Sequence, residues 1–176
     1  MDDAISALIR ATIFVRDLDR AAAFYGALGL AETYYEGRLD DPSAMAILGF
    51  AAPAPVAIRI LKRRGPNFGM IGLFELDQAT PADSLPQAAG PARIGEVALI
   101  FYVRSMADAM AAARAHGATW LPEPRLFRMG HRAQLEVCIR DPDGVLINLV
   151  ETDPAEQDRT GAELSYAASD QPGQRA

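Results

Sequence analysis

The sequence predicts an α+β fold made of two βαβββ modules, on three observations. A strand, a capping residue, a helix and a closing glycine occur in that order twice, 88 positions apart. Each copy is followed by further runs rich in β-branched and aromatic residues. A stretch of proline, small and polar residues separates the copies.

In the first copy, Ile9 to Asp17 (IRATIFVRD) reads as a strand leading to a charged stop. Asp17 is placed to cap the helix Leu18 to Leu28, and Gly29 stands where a left-handed residue would close it. In the second copy Val97 to Arg104 repeats the strand, Ser105 the cap, Met106 to His116 the helix and Gly117 the stop. The offset places Val15 and Arg16 on Val103 and Arg104, and Gly29 on Gly117. Further strands are predicted at Ala31 to Glu36, Val56 to Lys62 and Gly69 to Leu76, then at Thr119 to Leu121, Gln134 to Arg140 and Val145 to Glu151. Asp141-Pro-Asp-Gly144 joins the last two as a tight turn, with proline presetting φ and glycine accepting positive φ. Asp41 to Leu48 reads as a short helix capped by Asp41 or Ser43. The expected division is a first module at 7–77, a linker at 78–94, a second module at 95–152 and a polar tail at 153–176.

Composition narrows the function. Seventeen basic against twenty-three acidic residues leave a net charge of −6, which argues against a nucleic-acid partner, since phosphate binding needs a positive face. A single cysteine, Cys138, excludes an intrachain disulfide and a thiolate metal cluster. The N-terminus lacks the basic and long apolar regions of a signal peptide, and no apolar run reaches membrane-spanning length, so a soluble cytoplasmic protein with no membrane partner is expected. No nucleophile elbow, phosphate loop, haem motif or dinucleotide fingerprint occurs.

Paired βαβββ modules with the motif VRDLDRAAAFYGALGL, closed by RDPDG and a final strand, resemble the vicinal oxygen chelate superfamily over about residues 7 to 152. That superfamily includes lactoylglutathione lyases, extradiol dioxygenases, epimerases, and fosfomycin- and bleomycin-resistance proteins. The resemblance implies two sheets curled into a cupped half-barrel, a small organic ligand and a divalent metal inside the cup, and a homodimer. It places metal ligands, typically His, Gln or Glu, on the first and last strands of each module. In this chain those positions read Arg10, Gly72, Ala98 and Asn148. Arginine is a permanent cation without a lone pair, glycine and alanine offer nothing, and one asparagine oxygen is a weak neutral ligand. The expected chelate site is therefore degenerate, and no metal or other cofactor is predicted.

Strand alternation sends Ile13 and Val15 under the helix and Arg10, Thr12 and Phe14 into the cup. Arg10 then either recognises an anionic group of a ligand or pairs internally with Glu96 or Glu136. Arg59 and Arg140 pose the same question on other strands, Arg140 with the turn aspartates as its expected partners. Phe14 and the equivalent Tyr102 should face inward, joined by Phe74, Phe127 and one of Tyr34 and Tyr35. His131 lies beside the cup, and Glu96, Glu136 and His131 form the alternative, displaced metal site. His116 is expected to meet the C-terminal dipole of its helix, while Phe24, Tyr25 and Cys138 belong to the core. The expected ligand-binding set is thus Arg10, Phe14, Arg59, Tyr102, His131, Glu136 and Asn148. Two functions follow: a metal-independent protein that binds a small organic molecule, or a lyase, isomerase or dioxygenase using displaced ligands or Arg10 as electrophile.

Overall fold

Capping residues fix where both long helices begin. In the computed structural model, which describes residues 5–39, 41–47, 56–76, 90–129 and 132–158, Asp17 accepts from the Arg20 amide at 2.8 Å and opens α1 (Leu18–Ala27). Ser105 accepts from the Asp108 amide at 3.2 Å and opens α3 (Met106–Ala115). A side-chain oxygen at such a position satisfies one of the orphan amides of the first turn, a contribution of about 1 kcal/mol. Both helices end with a glycine at positive φ, Gly29 and Gly117. Leu30 N–H reaches back to the Tyr25 carbonyl and Ala118 N–H to that of Ala113, which closes the last turns.

Among the described residues, eight strands form two four-stranded sheets of the same topology. The first comprises β1 (Arg10–Val15), β2 (Glu32–Leu39), β3 (Val56–Lys62) and β4 (Met70–Glu75) in the order β1-β4-β3-β2. The second comprises β5 (Leu99–Val103), β6 (Arg125–Met129), β7 (Arg132–Arg140) and β8 (Leu146–Glu151) in the order β5-β8-β7-β6. In each, the strand before the helix pairs in parallel with the last strand and the others run antiparallel. The short helix α2 (Pro42–Ile47) starts at Asp41, whose carboxylate accepts from the Ser43 amide at 2.7 Å. One strand lies elsewhere than its sequence suggested. Thr119 to Leu121 contribute only an isolated bridge between Trp120 and Arg140, and the third strand from the end of the chain is Arg125–Met129, beyond Pro122 and Pro124. Of the polar tail, Pro154–Asp158 forms a 3-10 turn. Most of the linker lies outside the described residues.

The core lies on the helix side of both sheets. Ile13, Val15, Leu61, Ile71 and Leu73 of the first module and Val103, Val137, Ile139, Ile147 and Leu149 of the second join Phe24, Tyr25, Met106 and Met110 in one cluster. Alternation puts every second residue there, so a one-residue slip would expose all of them. α1 and α3 also contact each other. The modules are tied by polar contacts at one turn. Tyr25 donates to Asp141 at 2.8 Å, and Arg16 and Arg20 reach Asp143 at 3.0 and 3.1 Å.

Candidate functional site

The face of each sheet turned away from the helices carries five of the seven residues expected to bind a ligand, Arg10, Phe14, Tyr102, Glu136 and Asn148. On β1, Arg10, Thr12 and Phe14 are exposed while Ile13 and Val15 are buried beneath α1. The register sets Phe14 beside Phe74 and Thr12 beside Gly72. Ile58 and Ile60 of β3 continue the same rows, and with Met70 and Phe74 they make a buried apolar floor. Phe14 stands edge-on to Phe74 with ring centroids 5.9 Å apart, a favourable aromatic arrangement. Of the adjacent tyrosines, Tyr35 pairs with Ile60 and shares its face, and its ring lies over Gly37.

Arg10 forms no hydrogen bond or ion pair among the described residues. Its stem crosses Gly72: a Cβ on that glycine would lie 2.8 Å from the Arg10 Cδ and 3.2 Å from Nε. Neither internal partner expected from sequence is available. Glu96 is held by Arg140 at 2.8 Å, and Glu136 accepts from two side-chain amides, those of Gln134 at 3.0 Å and Asn148 at 3.2 Å.

In the second module, Ile100 pairs with Asn148 and Tyr102 with Val150, so Asn148 stands to β5 as Gly72 stands to β1. Cys138 is opposite Asn148 and Glu136 opposite Val150. Tyr102 and Phe14, the repeat-related aromatics, are 38% and 44% exposed on equivalent positions. Phe127 pairs with Gln134 and Arg125 with Glu136, which adds both to this face. Gln134 follows from the alternation that selects Glu136, two residues on. Arg125 was not legible, because the strand carrying it was expected elsewhere. The Asn148 amide oxygen is buried without a hydrogen-bond partner. Cys138 proves partly exposed on this face instead of core, because its neighbours Val137 and Ile139 take the helix side. Burial and then the Glu136 charge push its thiol pKa up, so it is no activated nucleophile.

Other charged candidates lie elsewhere. Arg59 alternates onto the helix side, where it binds Asp19 at 3.0 Å and Glu36 at 2.8 Å. It lines a cleft of about 360 Å³ between α1 and β2–β3, not the helix-free face. Its hydrogen bond holds the Glu36 carboxyl below its ordinary range. Arg140, 1% exposed, does not take the turn aspartates: it donates to the carbonyls of Gly90, Pro91 and Gly144 and to Glu96. It thereby fastens the chain entering the second module to the β7–β8 turn, and its hydrogen bond lowers the Glu96 pKa. His116 Nδ1 lies 2.9 Å from the Ala112 carbonyl at the end of α3, as a helix-capping imidazole would. His131 lies outside the described residues.

A divalent metal does not fit this donor set. Arg10 brings positive charge, Gly72 and Ala98 bring no donor, and the single amide oxygen of Asn148 is short of the several oxygen or nitrogen ligands required. Of the displaced set, Glu96 and Glu136 are committed to Arg140 and to amides. Among the described residues no group of three or more His, Cys, Asp or Glu side chains could hold a metal ion. Nor is any of their helices long and apolar enough to cross a membrane.

The same architecture recurs in solved structures. A glyoxalase family protein from Bacillus cereus superposes with a TM-score of 0.67 at 20% identity, over 85% of this chain and 96% of its own. One from Enterococcus faecalis gives 0.50 at 19% identity, over 82% and 96%. At such identities the likeness is one of fold. No curated protein matches the chain. Residues 7–149 match the Glyoxalase/Bleomycin resistance protein/Dioxygenase superfamily, and with both modules inside that span the chain belongs to this superfamily.

Proposed function

We propose that this protein binds a small organic molecule in the cup of its paired modules without using a divalent metal. One observation carries the reading. The two inner-strand positions that are equivalent by register, Gly72 and Asn148, together with Arg10 at the start of β1 and its repeat counterpart Ala98, just before β5, provide no chelating set. The same faces expose Phe14, Tyr102 and Phe127, with Phe74 beneath Phe14, flat aromatic surface of the kind that lines organic-ligand sites. Arg10, Phe14, Tyr102, Glu136 and Asn148 are its ligand-facing residues; Arg59 is not among them. We also propose a cytoplasmic homodimer: β1 and β5 are both outer strands of their sheets, and Ile100 on β5 is an exposed apolar residue for a second copy to cover.

The test is a ligand-detected NMR screen of amphipathic aromatic fragments with and without EDTA. Binders that persist in EDTA and weaken at least threefold in Phe14→Ala or Tyr102→Ala are the expected result. Stoichiometric iron, zinc, nickel or manganese in protein purified without chelator, or binding that requires metal, would overturn it. A lyase, isomerase or dioxygenase with Arg10 as electrophile is the second reading, favoured by the same unpaired guanidinium; turnover of a bound fragment that stops in Arg10→Met would select it.

A further inference from the structure

On the helix-free face of β1 and β4 the charged side chain among the described residues is Arg10; Lys62, of the same parity at the end of β3, is held by the Gly65 carbonyl and Asn67 at 2.7 and 2.6 Å. The Arg10 stem lies flat over Gly72 because that residue has no side chain: a methyl group there would fall 2.8 Å from the Arg10 Cδ and 3.3 Å from a ring carbon of Phe74. Gly72 is buried mid-strand with no positive φ, so no backbone conformation demands a glycine. What the glycine provides is room for the arginine. The guanidinium so placed has no carboxylate or carbonyl partner among the described residues, and its register partner Met70 is buried and apolar. A guanidinium presents paired N–H donors that match two oxygens of a planar anion.

We propose that Arg10 and Gly72 form an oxyanion subsite, and that the natural ligand carries a carboxylate next to a flat apolar group, the carboxylate on Arg10 and the flat part along Phe14. This rests on the cup being the ligand site and names the class of ligand it takes. Arg10 is the recognising residue. Gly72 is a positioning residue that acts only through it.

The experiment uses the full chain and three matched probes, benzoate, benzamide and benzylammonium, titrated by NMR against wild type, Arg10→Met, Arg10→Lys and Gly72→Ala. Benzoate should bind about tenfold tighter than benzamide, with benzylammonium weakest. Arg10→Met should abolish that preference with a melting temperature within about 2 °C of wild type, since no ion pair is lost. Arg10→Lys should keep part of it. Gly72→Ala should weaken benzoate at least threefold with charge and fold intact, because the atom it displaces belongs to a flexible side chain. Equal binding of benzoate and benzamide, a preference for benzylammonium, no benzoate binding, or a benzoate preference that survives in folded Arg10→Met would each overturn the proposal. Fragments from the broader screen that bind regardless of Arg10→Met would remove only the oxyanion role. Absence of any binder would remove the cup as a ligand site as well.

Discussion

Replacing Tyr25 by Phe removes one oxygen atom, and the structure says what that atom does. Tyr25 and Asp141 are both fully buried, and the phenol donates to the carboxylate at 2.8 Å across the boundary between modules. The other carboxylate oxygen accepts from the Asp143 and Val145 amides at 2.9 and 2.8 Å. In Tyr25→Phe the ring still fills its place, but one oxygen of Asp141 stays buried and unpartnered. A hydrogen bond to a charged group, lost so that its acceptor is orphaned, costs about 2–3 kcal/mol. At roughly 2–4 °C per kcal/mol for a chain of this size, Tm should fall by about 5–10 °C. The loss should also depend on pH. Burial raises the folded-state pKa of Asp141 above its ordinary 3.8, against the opposing pull of its hydrogen bonds, that of Tyr25 among them. The folded protein therefore holds this proton more tightly than the unfolded chain. The resulting stabilisation is full below 3.8 and is lost as pH rises through the folded-state value. Removing the Tyr25 donor raises that value further, so the variant regains more stability on acidification than wild type does. The assay is a pair of thermal melts at fixed protein concentration from about pH 8 to pH 4, with the gap widest at neutral pH and narrowing toward acid. A gap below about 1 °C, or one that stays constant across the range, would refute the role assigned to this hydroxyl.

Three further outcomes follow from the same structure. Arg140→Met removes four hydrogen bonds from a side chain 1% exposed, three of them to carbonyls; a loss of about 3–5 kcal/mol in urea unfolding is expected, against near zero for Arg10→Met. Asp143→Asn leaves Arg16 and Arg20 facing a neutral amide in place of a carboxylate only 4% exposed; about 1–2 kcal/mol should be lost, and salt should narrow the difference from wild type if the interaction is ionic. Ser105→Ala removes the cap of α3 and should cost about 1 kcal/mol, readable as a Tm drop of a few degrees.

The parts of the fold that the sequence disclosed are those governed by local rules. Asp17, Ser105, Gly29 and Gly117 act through the chain next to them, and the alternation of Arg10 to Val15 follows from strand geometry alone. Partnerships across long sequence distances were not disclosed. Arg59 alternates correctly within β3, but which face that alternation serves depends on where α1 packs, and the helix places Asp19 on the side that was taken for the ligand's. Arg140 carries a turn motif after it, yet its partners are carbonyls some fifty residues earlier in the chain, at Gly90 and Pro91. Arg125–Met129 was missed because two prolines precede it and its residues show no clear alternation; it becomes a strand by pairing with β7. Cys138 was assigned to the core on residue type, whereas its parity on β7 puts it beside Asn148.

The two modules differ at equivalent positions in opposite directions. In the first, the outer strand carries the large side chain, Arg10, and the inner strand the empty position, Gly72; in the second, the outer position is Ala98 and the inner one Asn148. The first pair can seat only one bulky group over its strand boundary, as the 2.8 Å approach of the Arg10 Cδ to a Cβ at 72 shows. A pair of strands that presents ligands to a metal must instead hold two donors side by side, with the ion between them relieving their crowding. Arg10 could not lie as it does opposite a glutamate or histidine at 72. The missing side chain at 72 and the arginine at 10 are therefore coupled in physical terms. That coupling makes Gly72→Asn informative: the second module's inner residue, placed in the first, should expel the arginine stem and reduce carboxylate binding as strongly as Arg10→Met, yet leave the apolar floor of Ile58, Ile60 and Met70 in place. Retained benzoate affinity in folded Gly72→Asn would mean that the two positions vary independently.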